Sequence, residues 1–204
     1  MPAISNDELI EEINEMCEGM SDKPEYVSEV LGGRNLDECS QGMLYQKRKL
    51  AQIYLHEYHT VQKKEIQDQL TAIDKDLGSC LHPDTASKLV EELNSKRFTK
   101  NNGLLTTKRF RDATEAIDKY IRAGYIKGTY RLEFDLEVGE DKDIILKLYQ
   151  RKIRLLRKSQ QVDRLMQRHM KKKAPCLMGD SMYESQIREI NAKIDKIKNK
   201  DWAL

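Results

Sequence analysis

Little in this 204-residue chain is aromatic, bent or cross-linkable: it has one Trp, three Phe, four Pro and four Cys. Few prolines and ten glycines leave no long linker or low-complexity tract, so the composition is that of a helix-rich globular protein. No window approaches 18 consecutive apolar residues, which removes a membrane-spanning helix. The start, MPAISNDELIEEI, lacks the basic and apolar regions of a secretory signal. Cys17, Cys39, Cys80 and Cys176 are widely spaced with no Cys-x-x-Cys pair, which argues for reduced thiols rather than a disulfide framework. These absences together lead to the expectation of an intracellular protein of a reducing compartment, cytoplasm or nucleus, with no membrane partner.

Catalytic motifs are absent as well. There is no Gly-x-Ser-x-Gly elbow, no Gly-x-x-x-x-Gly-Lys loop and no Gly-x-Gly-x-x-Gly fingerprint. His56 and His59, with Cys80 and His82, offer four zinc ligands of mixed His and Cys, but HEYH is one residue short of the His-Glu-x-x-His spacing, and the two histidines fit a helix face equally well. The expectation is a protein that is not an enzyme and that carries neither metal nor cofactor.

What the chain does have is charge, strongly segregated. Thirty-six Lys and Arg nearly balance 34 Asp and Glu, yet residues 1–40 hold eleven acids against Lys23 and Arg34. Residues 96–131 hold ten bases against three acids, and residues 151–173 ten bases against Asp163 alone. Such segregation marks a polyanion-binding surface, or an acidic head able to occupy that surface itself.

Periodicity divides the chain into consecutive segments. Residues 1–35 form an acidic helical head, in which Ser5 and Glu8 fit a capping box and Leu9, Ile13, Met16 and Met20 line one face. A helix from Pro24 to Leu31 stops at Gly32-Gly33. Residues 36–80 are one long helix. Its apolar positions rotate from the Leu50, Tyr54, Tyr58, Val61 side to the Ile66, Leu70, Ile73, Leu77 side, predicting different partners for its two halves, with the changeover at Val61–Glu65.

Residues 83–140 read as helix, turn, helix and hairpin. One helix runs from Thr85 to Lys96, and a second, capped near Thr106-Thr107, carries Phe110, Ala113, Ile117 and Ile121 on one face and ends at Gly124. YRLEFDLE, Tyr130–Glu137, alternates as a half-buried strand does, and Gly128-Thr129 supplies a turn back to Tyr125–Lys127. This order resembles the later part of a winged-helix nucleic-acid-binding domain, over about 55 residues. The resemblance implies that Thr106, Thr107, Lys108, Arg109 and Arg111 open a groove-reading helix. The connection Arg97–Leu105 is longer than that family's turn, and a helix pair beside an incidental hairpin meets the same periodicities.

Residues 141–204 hold a basic amphipathic helix and a C-terminal helix. With Ile145 at 0°, the apolar residues through Met170 occupy an arc from about 260° to about 40°, whereas Arg154, Arg157, Lys158, Arg164 and Arg168 fall between about 100° and 220°. The helix can pack and still present a basic ridge, continued by Lys171, Lys172 and Lys173. Beyond it, Ser181 and Glu184 fit a second capping box, and Tyr183, Ile187, Ile190, Ile194 and Ile197 form an apolar seam, read as an antiparallel hairpin with the basic helix or as a surface for another polypeptide.

The expected fold is mainly α, a multi-helix bundle with long helices and one small β-hairpin near residues 125–137. The expected function is that of a nucleic-acid-binding or nucleic-acid-processing accessory protein. Its DNA or RNA contacts would be Lys108, Arg109, Arg111, Arg154, Arg157, Lys158, Arg164, Arg168 and Lys171 to Lys173. The competing expectation is a structural or assembly protein that binds a protein partner, or a second copy of itself, through Ile187, Ile190, Ile194 and Ile197.

Overall fold

A computed structural model describes residues 4–94, 107–128, 135–137, 139–170 and 178–199, and these are mainly α-helical. In order they form α1 (Asn6–Gly19), α2 (Pro24–Leu31), a short 3-10 turn (Leu36–Glu38), α3 (Gln41–Ser79), α4 (Pro83–Asn94), α5 (Thr107–Arg122), β1 (Ile126–Lys127), β2 (Asp135–Leu136), α6 (Lys142–Met170) and α7 (Asp180–Asn199). Among the described residues no helix is long and apolar enough to cross a membrane.

The chain divides into two compact units, residues 1–70 with 154–185, and residues 71–153 with 186–204. Both are discontinuous, unlike the consecutive segments read from the sequence, because α3, α6 and α7 each have residues in both.

In the first unit the sequence rules hold at α1. The Ser5 hydroxyl accepts from the Glu8 N–H at 3.2 Å and the Glu8 carboxylate accepts from the Ser5 N–H at 3.0 Å, a complete capping box. Leu9, Ile13, Met16 and Met20 are fully buried, in one apolar cluster with Leu44, Ala51 and Leu55 of α3 and Val162 and Met166 of α6. Gly32, at φ 57°, ends α2 in the left-handed conformation that glycine tolerates. The Lys47 ammonium donates to the carbonyls of Val30 and Leu31 at 2.8 and 2.5 Å, a cation where the helix dipole is negative. Tyr26 stacks on Tyr54 at 4.7 Å and ties α2 to α3.

The rotation expected along α3 does not occur. Leu44, Ala51, Leu55, Tyr58, His59, Gln62 and Ile66 are all buried and fall within an arc of about 100°. Leu50 and Tyr54 are only half-buried and Val61 is exposed. The buried stripe keeps its direction and changes its chemistry. Two polar residues, His59 and Gln62, share the inward stripe with Leu44, Ala51, Leu55 and Ile66.

In the second unit, Ala86 and Val90 of α4, Ile117 and Tyr120 of α5, Tyr125 and Ile126 share a core. β1 and β2 pair antiparallel, Ile126 opposite Leu136 and Lys127 opposite Asp135. Residues 129–134 of the expected hairpin, with Tyr130, Leu132 and Phe134, lie outside the described residues, as does the connection between α4 and α5. The inward face of α5 also differs from expectation. Ile121 is exposed and Tyr120 is buried in its place, meeting the Tyr125 ring edge-on at 5.7 Å. Gly124, at φ 76°, lets the chain turn back for that contact.

Gly139 is held to its identity by packing. A Cβ placed there would lie 1.8 Å from Cζ of Tyr125, which is fully buried. Gly139→Ala should therefore lower stability by about 3 kcal/mol or more through overpacking. Gly78→Ala, with nothing within 4 Å of its Cβ, should be neutral or stabilising by about 0.5 kcal/mol. Urea denaturation midpoints of the two variants test the contrast.

Candidate functional site: a basic ridge and the polar core behind it

The opposite faces of α6 within the first unit carry opposite chemistry. Arg154, Arg157, Lys158, Gln161, Arg164, Gln167 and Arg168 are exposed. This run spans about 21 Å along the helix axis and contains no acid. The one acid of that stretch, Asp163, is 1% exposed. A helix wheel sets it at about 180° from Arg154, in the middle of the apolar arc.

A carboxylate buried this deeply must be hydrogen-bonded and paired with positive charge. Asp163 Oδ1 lies 3.0 Å from Nε2 of His59, while Oδ2 accepts from the Lys63 ammonium at 3.0 Å and from the Tyr183 hydroxyl at 2.5 Å. Lys63 also donates to the hydroxyls of Ser159 at 2.7 Å and Tyr183 at 2.6 Å, so each of its three N–H groups has an acceptor. Three helices meet at this carboxylate: α6, which carries it, α3 through His59 and Lys63, and α7 through Tyr183.

Protonation is locked rather than exchanged. Burial works to raise the Asp163 carboxyl, but the hydrogen bonds from His59, Tyr183 and Lys63, with the Lys63 charge, outweigh it and hold the carboxyl below the usual carboxylate range. Burial likewise works to lower the Lys63 ammonium, and its bonds to Tyr183 and Asp163 outweigh that and hold it above its ordinary value. Burial raises the Tyr183 hydroxyl, and donation to Asp163 adds to the rise. Ser159 and Lys63 superficially resemble a nucleophile and its base. A lysine kept charged, with every proton donated, has no lone pair to take one.

Three of the ridge's five cations face carboxylates. Arg164 Nε stands 3.0 Å from each Asp180 oxygen, Lys158 Nζ is 3.9 Å from Asp22, and Arg168 is paired with Glu15. Arg154 and Arg157 have no ion pair among the described residues. Behind Arg168, His169 is buried with Nε2 3.0 Å from Glu15 but off the direction of a hydrogen bond. Burial holds its imidazole below the ordinary value; Glu12 opposes this, and Arg168 and Arg48 reinforce it.

The remaining expected contacts are dispersed. Arg111 is exposed on α5 in the second unit. Lys108 and Arg109 belong to the first turn of α5, and their side chains lie outside the described residues, as do Lys171, Lys172 and Lys173. In the C-terminal seam Ile190, Ile194 and Ile197 are buried within their own chain and Ile187 is half-buried. Ser181 is not a cap: α7 begins at Asp180, whose carboxylate is taken by Gln160 and Arg164. Both the Asp180 contacts and those of Tyr183 with Ser159 and Asp163 run α7 antiparallel to α6. His59 is spent on Asp163, and the His82 ring lies 3.1 Å from the Tyr149 hydroxyl. Among the described residues no group of three His, Cys, Asp or Glu side chains is placed to hold a metal ion.

Reading the sequence missed Asp163, His59, Lys63, Ser159 and Tyr183 as a cluster. A signal was available, because Asp163 falls at about 0° on the same wheel that defines the ridge. Compared with protein-family models, with curated proteins and with solved structures, the chain matches none.

Asp163→Asn should lower stability by about 2–4 kcal/mol, the range for removing one partner of a buried pair when the remaining ammonium keeps some contact with water. The sign of the pH dependence follows from the shifts. Asp163, held low, contributes stability above the ordinary carboxylate value that is lost as pH falls through its lower folded value. His169, also held low, makes the protein less stable as pH falls below about 6.5, where the unfolded chain binds the proton more readily. Chemical denaturation from pH 8 to pH 3 should show the upper slope flattened by His169→Gln and the lower one by Asp163→Asn.

Proposed function

We propose that this chain is a non-enzymatic nucleic-acid-binding accessory protein whose contact surface lies on the exposed basic face of α6. The observation that carries the reading is the run of exposed Arg, Lys and Gln with no acid in it, its sole carboxylate, Asp163, being turned inward. An ordinary solvated helix interleaves Glu with Lys, because such pairs stabilise it. A face that forgoes them is suited to an external polyanion.

Double-stranded nucleic acid fits this face better than a single strand. Single-strand grooves stack bases on aromatic rings, and the exposed residues from Arg154 to Arg168 include none. Arginine supplies bidentate phosphate contacts and glutamine neutral donors, which position a duplex without reading its bases. The assembly reading loses its main surface, since three of the four seam isoleucines are buried in their own chain.

Salt dependence is the test. For a 20-base-pair DNA duplex, Arg154→Gln with Arg157→Gln should reduce the slope of log affinity against log salt by about 1.8, roughly 0.9 for each phosphate that is no longer neutralised, and leave sequence preference unchanged. Changing Lys108, Arg109 and Arg111 to Gln should alter base preference only if α5 reads a groove. Parent-like affinity and slope in the Arg154/Arg157 variant would sink the proposal.

A further inference from the structure

The ridge is not equally available along its length, and α1 is the reason. Glu15 with Arg168, Gly19 against Leu165, and Asp22 near Lys158 together set α1 antiparallel against α6. A Cβ at Gly19 would stand 2.5 Å from Leu165 Cδ1, so the glycine permits the close approach. Leu9, Ile13 and Met16 of α1, with Met20 just beyond it, are fully buried, so this is an integral helix of the core, not an acidic head that comes and goes over the basic surface. Competition with a ligand therefore falls to individual side chains.

Those side chains are unevenly distributed. Arg168 borders an open trough of about 640 Å³ whose walls include Asp7, Glu11, Glu15, Glu18 and Asp37, so a phosphate reaching its guanidinium would enter the field of five carboxylates. A single exposed ion pair, such as Arg164 with Asp180, is weak and yields readily to a phosphate. Arg168 is instead paired with Glu15 and borders a wall that also carries Glu11 and Glu18, one helical turn to either side of Glu15, so an approaching phosphate meets several carboxylates rather than one.

We propose that the acidic edge of α1 is an electrostatic stop: it confines a bound duplex to the Arg154–Arg157–Lys158 end of the ridge and excludes its phosphates from Arg168. This rests on the reading of the ridge as a phosphate-binding surface. Arg168 is in effect a structural cation, and Glu15 and Glu18 determine the footprint.

A two-background comparison with a 20-base-pair DNA duplex tests this. In the parent, Arg168→Gln should leave the salt slope unchanged. In the Glu15→Gln/Glu18→Gln background the slope should rise, and Arg168→Gln should then lower it by up to about 0.9. Glu25→Gln/Glu38→Gln, with the same change in net charge at exposed positions elsewhere in the unit, should leave the slope at the parent value. Circular dichroism melts establish folding. If loss of Glu15 unfolds the chain, Glu11→Gln/Glu18→Gln, at two exposed positions, replaces that background. An equal fall in slope on Arg168→Gln in both backgrounds, or no rise on removing the carboxylates, overturns the stop while leaving the Arg154/Arg157 surface intact. Absence of duplex binding in every background defeats the surface itself, and the stop with it.

Discussion

The buried carboxylate of Asp163 is the constraint on which the rest of the first unit turns. An ionised group at 1% exposure is tolerated only when its lone pairs are filled and its charge is opposed, which here takes His59, Lys63 and Tyr183. Meeting that demand fixes the rotation of α6, because the residue pointing inward determines which point outward. With Asp163 facing the core, Arg154, Arg157, Lys158, Arg164 and Arg168 are turned about 100° to 180° away from it. The same bonds fix the register of α7, where Tyr183 reaches Asp163 and Asp180 reaches Gln160 and Arg164. A wholly apolar interface would allow neighbouring registers at small cost; a buried carboxylate bonded by His59, Lys63 and Tyr183 does not.

Charge segregated along the sequence becomes charge apposed in space. The acidic first forty residues meet the basic helix through Glu15 and Asp22, while the apolar stripe of α1 closes the core over Val162 and Met166. Hydrophobic burial supplies the binding energy of α1, since exposed ion pairs contribute little, and the acids on its outer edge then shape the potential along the ridge.

Much of the fold was legible in the sequence. The α1 capping box, its four-residue stripe, the glycine stop of α2 and the outward face of α6 all follow from spacing and turn chemistry. Reading went astray where the buried face was misjudged. On α3, taking Leu50, Tyr54 and Val61 as the inward side passed over Leu44, Ala51 and Leu55, whose stripe runs on to Ile66 and takes in His59 and Gln62. On α5, Tyr120 replaced Ile121 because an aromatic partner, Tyr125, waits beyond the turn. At α7, Asp180 is engaged by α6, and the helix starts one residue before the serine that local rules select as its cap.

The sequence by itself determined the helices, their boundaries to within a few residues and the sign of each face, because these depend on dihedral preferences and on a period of 3.6 residues, which act within a turn or two. Tertiary structure alone decided what the inward polar residues meet. His59 and Asp163 are separated by 104 positions, and Lys63 and Tyr183 by 120. No local rule connects them. Burial of a charge is admissible only when its partners arrive together, and that condition is met by the assembled helices rather than by any one of them.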